Sequence, residues 1–550
     1  MKPALFSSPH FRTWLVAGLL MLAEFLVFDR ATARHHAPIY PQWSDQIQYL
    51  TESYAAYDEM RAHGLVAAVK FTFSKNAVQG MLHDTAAVVV FWLTGSASRS
   101  AALSLNMLAF LAWQAALLFA IPRAGGSRAL GWMGFGLLLC LMRPWAAEPG
   151  SAVDFRLDHA AMCLLGVTAC AALLTDGFRS TRWSLAFGVA AGVTLLERFL
   201  TGAYLAPIFF FTALWLLLQP DRWPRVRNLL LAGGMVTAMA LPVFWINRAG
   251  IYEYYWVGHI TGAESAARVR GYDLVHSIRF VWETLATLQL GTWFCVVAAA
   301  VTWLLVWLIA SYPKKSTTGR AGHWLFLGAV FLLVPALILT LHRQKSEQVI
   351  GILVPGLVLV ILWLWHQLEH RVEFPTARAW QRIWPAAPVL LAVGCGLGYF
   401  TFRETRAPYS ADFVRSANKM NQISDYIYAA SRNAGLKEPV VGIDRIVDFM
   451  DGRILRVVCY ERHKAWVPFA VHLPDSILAG PDEKVFFKLK YCDFMIVTDR
   501  MPDHGYWPFD LQMRRLYPQV KAWCDQNMVV TDVFSAFESD MTFYRRRELQ

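Results

Sequence analysis

The sequence carries little charge for its length. Of its 550 residues only 17% are Asp, Glu, Lys or Arg, while 56% are hydrophobic. A water-soluble chain of this size needs more polar surface than that, so a purely soluble protein is excluded. Thiolate metal centres are missing too: the 8 cysteines contain no C-x-x-C spacing, which excludes zinc fingers and ribbons. No internal repeat or low-complexity tract occurs, so solenoid architectures and long disordered tails are set aside.

Five of the cysteines, Cys140, Cys163, Cys170, Cys295 and Cys395, lie in apolar runs and read as packing residues. The other three, Cys459, Cys492 and Cys524, lie near the C-terminus. They leave room for one disulfide and one thiol, with no pairing given by spacing.

What the sequence has instead is long apolar runs. A helix needs roughly 20 apolar residues to cross the hydrocarbon core of a bilayer. Runs of about that kind fall near 13–29, 101–121, 129–143, 159–175, 183–197, 203–219, 228–246, 285–311, 323–341, 349–367 and 383–402. The expected fold is mainly α, a polytopic membrane helical bundle of about eleven spans. The first run has a rival reading as a signal peptide, with Ala31-Thr32-Ala33 as the cleavage site. Phe28, Asp29 and Arg30 crowd that site and favour an uncleaved span. The 23 Trp and 35 Phe suit a chain with two membrane interfaces.

The net charge of +11 is a topology signal rather than a nucleic-acid one, because the cations fall in short loops between apolar runs. With the N-terminus inside, the inner loops hold Arg123, Arg128, Arg179, Arg182, Arg222, Arg225, Arg227, Lys314, Lys315, Arg320, Arg371, Arg378 and Arg382. The outer loops then hold few, and an odd span count puts residues from 405 onward outside. This implies an inner-membrane protein with a cytoplasmic N-terminus and a periplasmic or extracytoplasmic C-terminal domain.

Two domains follow: a membrane domain, 1–404, and an outer domain, 405–550. The first outer loop covers 30–100, the second 144–158, and another 247–284. In the first, Asp45 to Tyr57 reads as an interfacial amphipathic helix. Residues 84–95 are apolar over only half a span and read as a juxtamembrane or re-entrant helix. In 405–550, helical patterns at 411–434 and 510–525 alternate with strand-like runs at 440–444, 494–499 and 528–531. That alternation predicts a small α/β domain.

Ionisable residues at membrane depth are costly, which makes them functional candidates. Asp45, in Trp43-Ser44-Asp45-Gln46, suits a general base for an acceptor hydroxyl; it equally suits a charge complementing a helix dipole. Asp154-Phe155-Arg156-Leu157-Asp158-His159 places two carboxylates four residues apart, on one face if the helix begins there. They suit acid/base work, acceptor orientation or a divalent metal; the plain alternative is an acid-dressed helix start with an Asp–Arg pair. His342-Arg343-Gln344-Lys345-Ser346-Glu347 is a cationic outer turn that suits a phosphate at headgroup depth, or ordinary lipid headgroups. Glu197-Arg198 repeats the pattern, or forms a self-contained ion pair. Glu24 sits inside the first run with no assigned role. His35-His36 makes no convincing metal site. Tyr252, Tyr254, Tyr255 and Trp256 fit both interface anchors and sugar-stacking rings.

The order of these features resembles the GT-C superfamily of membrane glycosyltransferases, nearest to the protein-mannosyltransferase and lipid A aminoarabinose-transferase group. The resemblance covers roughly 10–400, and the tail matches only in placement and α/β character. It implies a transferase that moves a sugar from a polyprenyl-phosphate carrier to a glycolipid, polysaccharide or protein acceptor, with inversion and within membrane lipids. On this resemblance Asp45, Asp154 and Asp158 are catalytic. Arg343, Lys345, His342 and Arg198 bind the donor phosphate, and Tyr49 and Arg156 contact acceptor or sugar. No cofactor is assigned. A divalent metal on Asp45, Asp154 and Asp158 belongs to the rival reading, an oligosaccharyl or ligase-type enzyme. The first loop reads Ser-Asp-Gln rather than Asp-Glu, and the second Asp-x-Arg-x-Asp rather than Asp-x-Asp, which puts metal dependence in question. A further rival is a transporter or flippase of lipid-linked sugars, for which broken helices with mid-membrane acids are expected.

Overall fold

The structure, a computed structural model, describes residues 9–39, 44–74, 77–146, 149–268, 273–291, 319–371, 394, 396, 409–437, 439–444, 452–466, 469–474, 478–498, 508–536 and 539–549. The predicted span 285–311 lies mostly outside the described residues, as does 383–402. The other nine apolar runs are helical: α1 (Pro9–Ala31), α5 (Arg99–Arg123), α6 (Arg128–Leu137), α7 (Leu157–Leu174), α8 (Thr181–Glu197), α9 (Thr201–Leu217), α10 (Arg222–Ile246), and the helices Gly319–Leu341 and Val354–Arg371. Among the described residues, six helices are long and apolar enough to cross a membrane. The fold is thus a polytopic helical bundle with a small C-terminal sheet domain.

Serines start several of these helices. The Ser98, Ser127 and Ser180 hydroxyls accept from the backbone N–H three residues on, capping α5, α6 and α8. Small residues then bring helices close, since lipid tails give no hydrophobic drive for helices to associate. A Cβ on Gly166 would lie 2.2 Å from the Trp113 ring, and one on Gly356 would lie 2.4 Å from Leu332 N. These contacts press α5 on α7, and Gly319–Leu341 on Val354–Arg371. The helix α1 passes through Ala31 into a π-helical turn, Thr32–His36.

The long segment between α1 and α5 is helical: α2 (Ser44–His63), α3 (Leu65–Ser74) and α4 (Leu82–Thr94). At 13 residues, α4 reaches only about 20 Å at the α-helical rise, too short to span. The expected interfacial helix at Asp45–Tyr57 forms within α2, but it is covered. Ile47, Leu50 and Tyr54 are fully buried, against α4 and against the C-terminal domain.

That domain has a five-stranded sheet in the order β2-β1-β3-β5-β4. Its strands are β1 (Val440–Ile443), β2 (Phe469–His472), β3 (Phe494–Thr498), β4 (Met528–Ala536) and β5 (Ser539–Arg546). β1 pairs in parallel with β2 and β3, while β5 runs antiparallel to β3 and β4. The sequence reading finds β1, β3 and the start of β4 but misses β2 and β5. The helices Ala411–Asn433 and Pro508–Asn527 lie where expected. Cys459, Cys492 and Cys524 are all buried free thiols, so the disulfide for which the sequence leaves room is not formed among them.

The domain docks on the first loop through polar contacts. The Tyr54 hydroxyl donates to Glu461 at 2.7 Å, and Arg99 donates to the same carboxylate at 3.2 Å. The Asp58 carboxylate accepts from the Tyr460 hydroxyl (2.7 Å) and the Trp466 indole (2.8 Å). Lys464 donates to the Ala97 carbonyl at 2.8 Å. The tail therefore roofs the loop that carries Asp45.

Candidate active site

Three sequence-distant segments meet where α2 begins, α7 begins and α8 ends. Asp45 is the second residue of α2, and its side chain is 47% exposed. Its carboxylate lies 3.6 Å from the Arg156 guanidinium, which also lies 3.3 Å from Asp154. Asp158, in the first turn of α7, holds Arg198 at 2.6 Å. Thus Asp45, Arg156 and Asp154 form one group and Asp158 and Arg198 another, with Asp158 near enough to act on Arg156.

The expected shared helical face of Asp154 and Asp158 is not formed. The helix begins at Leu157, and Asp154 belongs to the preceding irregular turn. There its carboxylate accepts from Gly150 N–H at 2.6 Å, while its own carbonyl accepts from Asn106 at 2.8 Å. The Gln46 side-chain oxygen accepts from Phe155 N–H at 3.1 Å, tying α2 to this turn. Asp154 is fully buried. Burial pushes its carboxyl up to about 7, against the pull of Arg156 and the Gly150 N–H. Burial also opposes charge on Arg156 and Arg198, but nearby Asp154 holds the first above the usual guanidinium range and Asp158 the second.

Arg198 keeps 16% of its side chain exposed, and that part faces a narrow cleft lined by Asp158, Thr201, Tyr204, Gln348 and Ile352. Gln348 is drawn in by the acidic turn: a Cβ on Gly150, which has φ +77°, would lie 2.7 Å from the Gln348 Cβ. The loop after α10 also closes here. Tyr254 and Tyr255 feel the charge of Arg198, and the Tyr255 hydroxyl bonds the Leu200 backbone. This part of the loop therefore faces the site as well as the interface.

The cationic turn stands apart. Lys345 commits its three N–H donors to the carbonyls of Leu339 (2.9 Å), Thr340 (2.8 Å) and His342 (2.7 Å). It therefore caps the helix Gly319–Leu341, and burial lowers its affinity for a proton. His342 donates to the Gln344 carbonyl at 3.0 Å. His342 and Arg343 are exposed, and no hydrogen bond or ion pair joins either to the acidic cluster among the described residues. Tyr49 is buried, and its hydroxyl donates to Gln79; burial pushes that phenol well above its ordinary range.

The sequence reading misses His83. It pairs with Glu197 at 2.7 Å, and both side chains are almost wholly buried. Glu197 and Arg198 therefore do not form a self-contained pair; each takes a different partner. The signal was present in Leu82-His83-Asp84, ionisable residues at the head of an apolar run.

A three-carboxylate metal site does not fit this geometry. Asp154 and Asp158 are turned onto arginines, and no group of three His, Cys, Asp or Glu side chains converges among the described residues.

No protein-family model matches the sequence, and no curated protein matches it. Solved structures do. The chain is similar to ArnT from Cupriavidus metallidurans bound to undecaprenyl phosphate, at 14% identity and TM-score 0.56, covering 96% of this chain and 98% of that one. The apo state of the same protein gives 14% identity and TM-score 0.57, with 97% and 98% covered. The archaeal oligosaccharyltransferase AglB from Archaeoglobus fulgidus, in complex with an inhibitory peptide and a dolichol-phosphate, gives 9% identity and TM-score 0.48, with 97% and 74% covered. Identity this low speaks to fold alone, and on that comparison the chain has the fold of ArnT over nearly its whole length.

Proposed function

We propose that the chain transfers a sugar from a polyprenyl-phosphate carrier to an acceptor on the outer face of the membrane. The observation that carries this reading is the juxtaposition of a half-exposed carboxylate, Asp45, with a cleft into which a buried-stem arginine, Arg198, projects. The full-length fold likeness to ArnT, solved with undecaprenyl phosphate, supports the carrier class. The bundle 1–404 is then the transferase core, and 405–550 is the extracytoplasmic domain roofing it. The N-terminus would be cytoplasmic and the setting a cell inner membrane.

The chemistry balances as one displacement. An acceptor hydroxyl attacks the anomeric carbon, its proton passing to Asp45. The bond from that carbon to the phosphate oxygen breaks, and the polyprenyl phosphate leaves with the electron pair, inverting the centre. Charge gathers on the leaving phosphate as the bond lengthens. A fixed guanidinium in a water-poor cleft stabilises that charge with little reorganisation, since Asp158 already orients it. Tyr204, Thr201 and Gln348 are the neighbouring groups able to hydrogen-bond a phosphate or sugar. Arg156 holds Asp45 and Asp154 in one register and contacts acceptor or sugar beyond them. Arg343 and His342 face lipid headgroups and meet the carrier at the rim. No step is routed through a divalent metal, because the carboxylates that would hold it are engaged by arginines.

The test is transfer by the reconstituted full chain, using radiolabelled polyprenyl-phosphate monosaccharides and envelope glycolipid, polysaccharide or protein acceptors. Label should move to an acceptor and free polyprenyl phosphate should appear. Asp45→Asn should slow this by on the order of 10²- to 10⁴-fold, the range for loss of a general base, with thermal unfolding unchanged. Label that stays on every carrier tried, or full turnover by the variant, would sink the reading.

A further inference from the structure

Arg198 lies in a break between two helices. Glu197 ends α8, Arg198 is extended with φ −145° and ψ 111°, and α9 starts at Thr201. Neighbouring side chains on extended backbone point to opposite sides. Whatever fixes Glu197 therefore fixes the direction of Arg198.

The segment just before α4 does this. Met81 N–H donates to the Leu196 carbonyl at 3.0 Å, and Phe199 N–H donates to the Gln79 carbonyl at 2.7 Å. Between these two bonds sits Gly80, whose absent Cβ would lie 2.1 Å from the Glu197 carbonyl oxygen and 2.9 Å from its carbon. Only glycine permits that backbone approach. One turn on, the His83 ring meets the Glu197 carboxylate at 2.7 Å, in a site with almost no solvent. Phe155 packs on the same ring with centroids 4.2 Å apart. Gln79 accepts from the Tyr49 hydroxyl, and Asp84 accepts from the Ser53 hydroxyl at 3.1 Å, so α2 braces the segment at both ends. The clasp holds Glu197 inward, which leaves Arg198 aimed at Asp158 and the cleft.

We propose that Gly80 and His83 are positioning residues that set the direction in which Arg198 presents its guanidinium to a lipid phosphate. The ligand half of this inference rests on the functional reading above. Neither residue lines the cleft, so both act through Arg198. A shift of about 1 Å in a positioned group costs on the order of 10²-fold in favourable cases, and the extended link at 198 transmits a shift at Gly80 directly.

The test uses the full chain in nanodiscs and undecaprenyl phosphate alone as probe. Hydrogen exchange at residues 196–201 reads the clasp, and carrier affinity reads the arginine. Gly80→Ala and His83→Ala should speed exchange at 196–201 and weaken binding by roughly 10-fold or more. Removing one partner of a buried pair can unfold a protein. The paired His83→Gln, Glu197→Gln variant therefore serves as the rescue: it strands no charge, keeps an amide–amide hydrogen bond, and should restore both exchange protection and affinity. Wild-type exchange and affinity in Gly80→Ala and His83→Ala would overturn the proposal. So would a rescue pair that folds like wild type yet binds no better than His83→Ala. If exchange responds as expected but the wild-type chain binds no undecaprenyl phosphate, the clasp stands and the functional reading falls.

Discussion

The molecule has two cationic regions at one end of its bundle, and they differ in what surrounds them. Arg198 sits on a buried stem, oriented by Asp158 at 2.6 Å and open to a cleft on one side. The turn at 342–347 carries His342, Arg343 and Lys345 at or near the surface, with Lys345 turned back on helix carbonyls. Both regions carry an arginine. What separates them is solvent and preorganisation. A guanidinium held in a low-dielectric cleft stabilises developing charge far more than one screened by water and salt. A lysine that caps a helix end must first give up those bonds to bind anything else.

Replacing the buried cation should have the largest effect. Arg198→Ala should lower transfer by on the order of 10²- to 10³-fold, as loss of a preorganised charge stabiliser does. Arg198→Lys should recover only part of that, because a point charge does not reproduce the guanidinium fork. A mild Arg198→Ala with a crippled Arg343→Ala would reverse the ranking of the two regions.

An intermediate effect should appear with pH. The Asp154 carboxyl sits near 7 in the folded chain, above its ordinary value, so the folded state binds the proton more tightly than the unfolded one. Its contribution to stability is therefore full at acid pH and is lost as pH rises through about 7. Transfer should run the other way, since the ionised form is the one that anchors Arg156. Initial rates should climb through that same range, and Asp154→Asn should remove the limb. A rate profile flat from acid to neutral pH in the wild type would separate Asp154 from the machinery.

The smallest effects are expected at the turn. Lys345→Met should lower unfolding stability by about 1 kcal/mol, the net worth of a lost hydrogen-bonded cap, while leaving the transfer rate of the folded chain nearly intact. Arg343→Ala should change carrier affinity only slightly, and less at higher salt. Calorimetry and a salt series read both. A transfer defect in Lys345→Met without loss of stability would make the turn part of the site.

Much of the site was legible because membrane burial makes charge conspicuous. Asp45, Asp154, Arg156, Asp158 and Arg198 stand out as ionisable residues against apolar runs. Their pairing was not legible. Glu197 and Arg198 are adjacent, so the sequence suggests that they pair with each other. The extended backbone at 198 instead sends them to His83 and Asp158. His83 itself escaped notice because its segment was read for length, not for the backbone ladder that Gly80 permits. In the tail, β1 and β3 are apolar runs buried on both faces and read easily. β5, Ser-Asp-Met-Thr-Phe-Tyr-Arg-Arg, is a strand only because β3 and β4 flank it.

The sequence by itself determined that the chain crosses a membrane several times and carries a small α/β domain, and it marked the few ionisable residues beside its apolar runs. These follow from hydropathy and charge, which act locally along the chain. The tertiary structure alone decided which charge meets which. Glu197's partner and the direction of Arg198 depend on contacts between segments far apart in the chain, such as Gly80 against Glu197, and no local pattern encodes them.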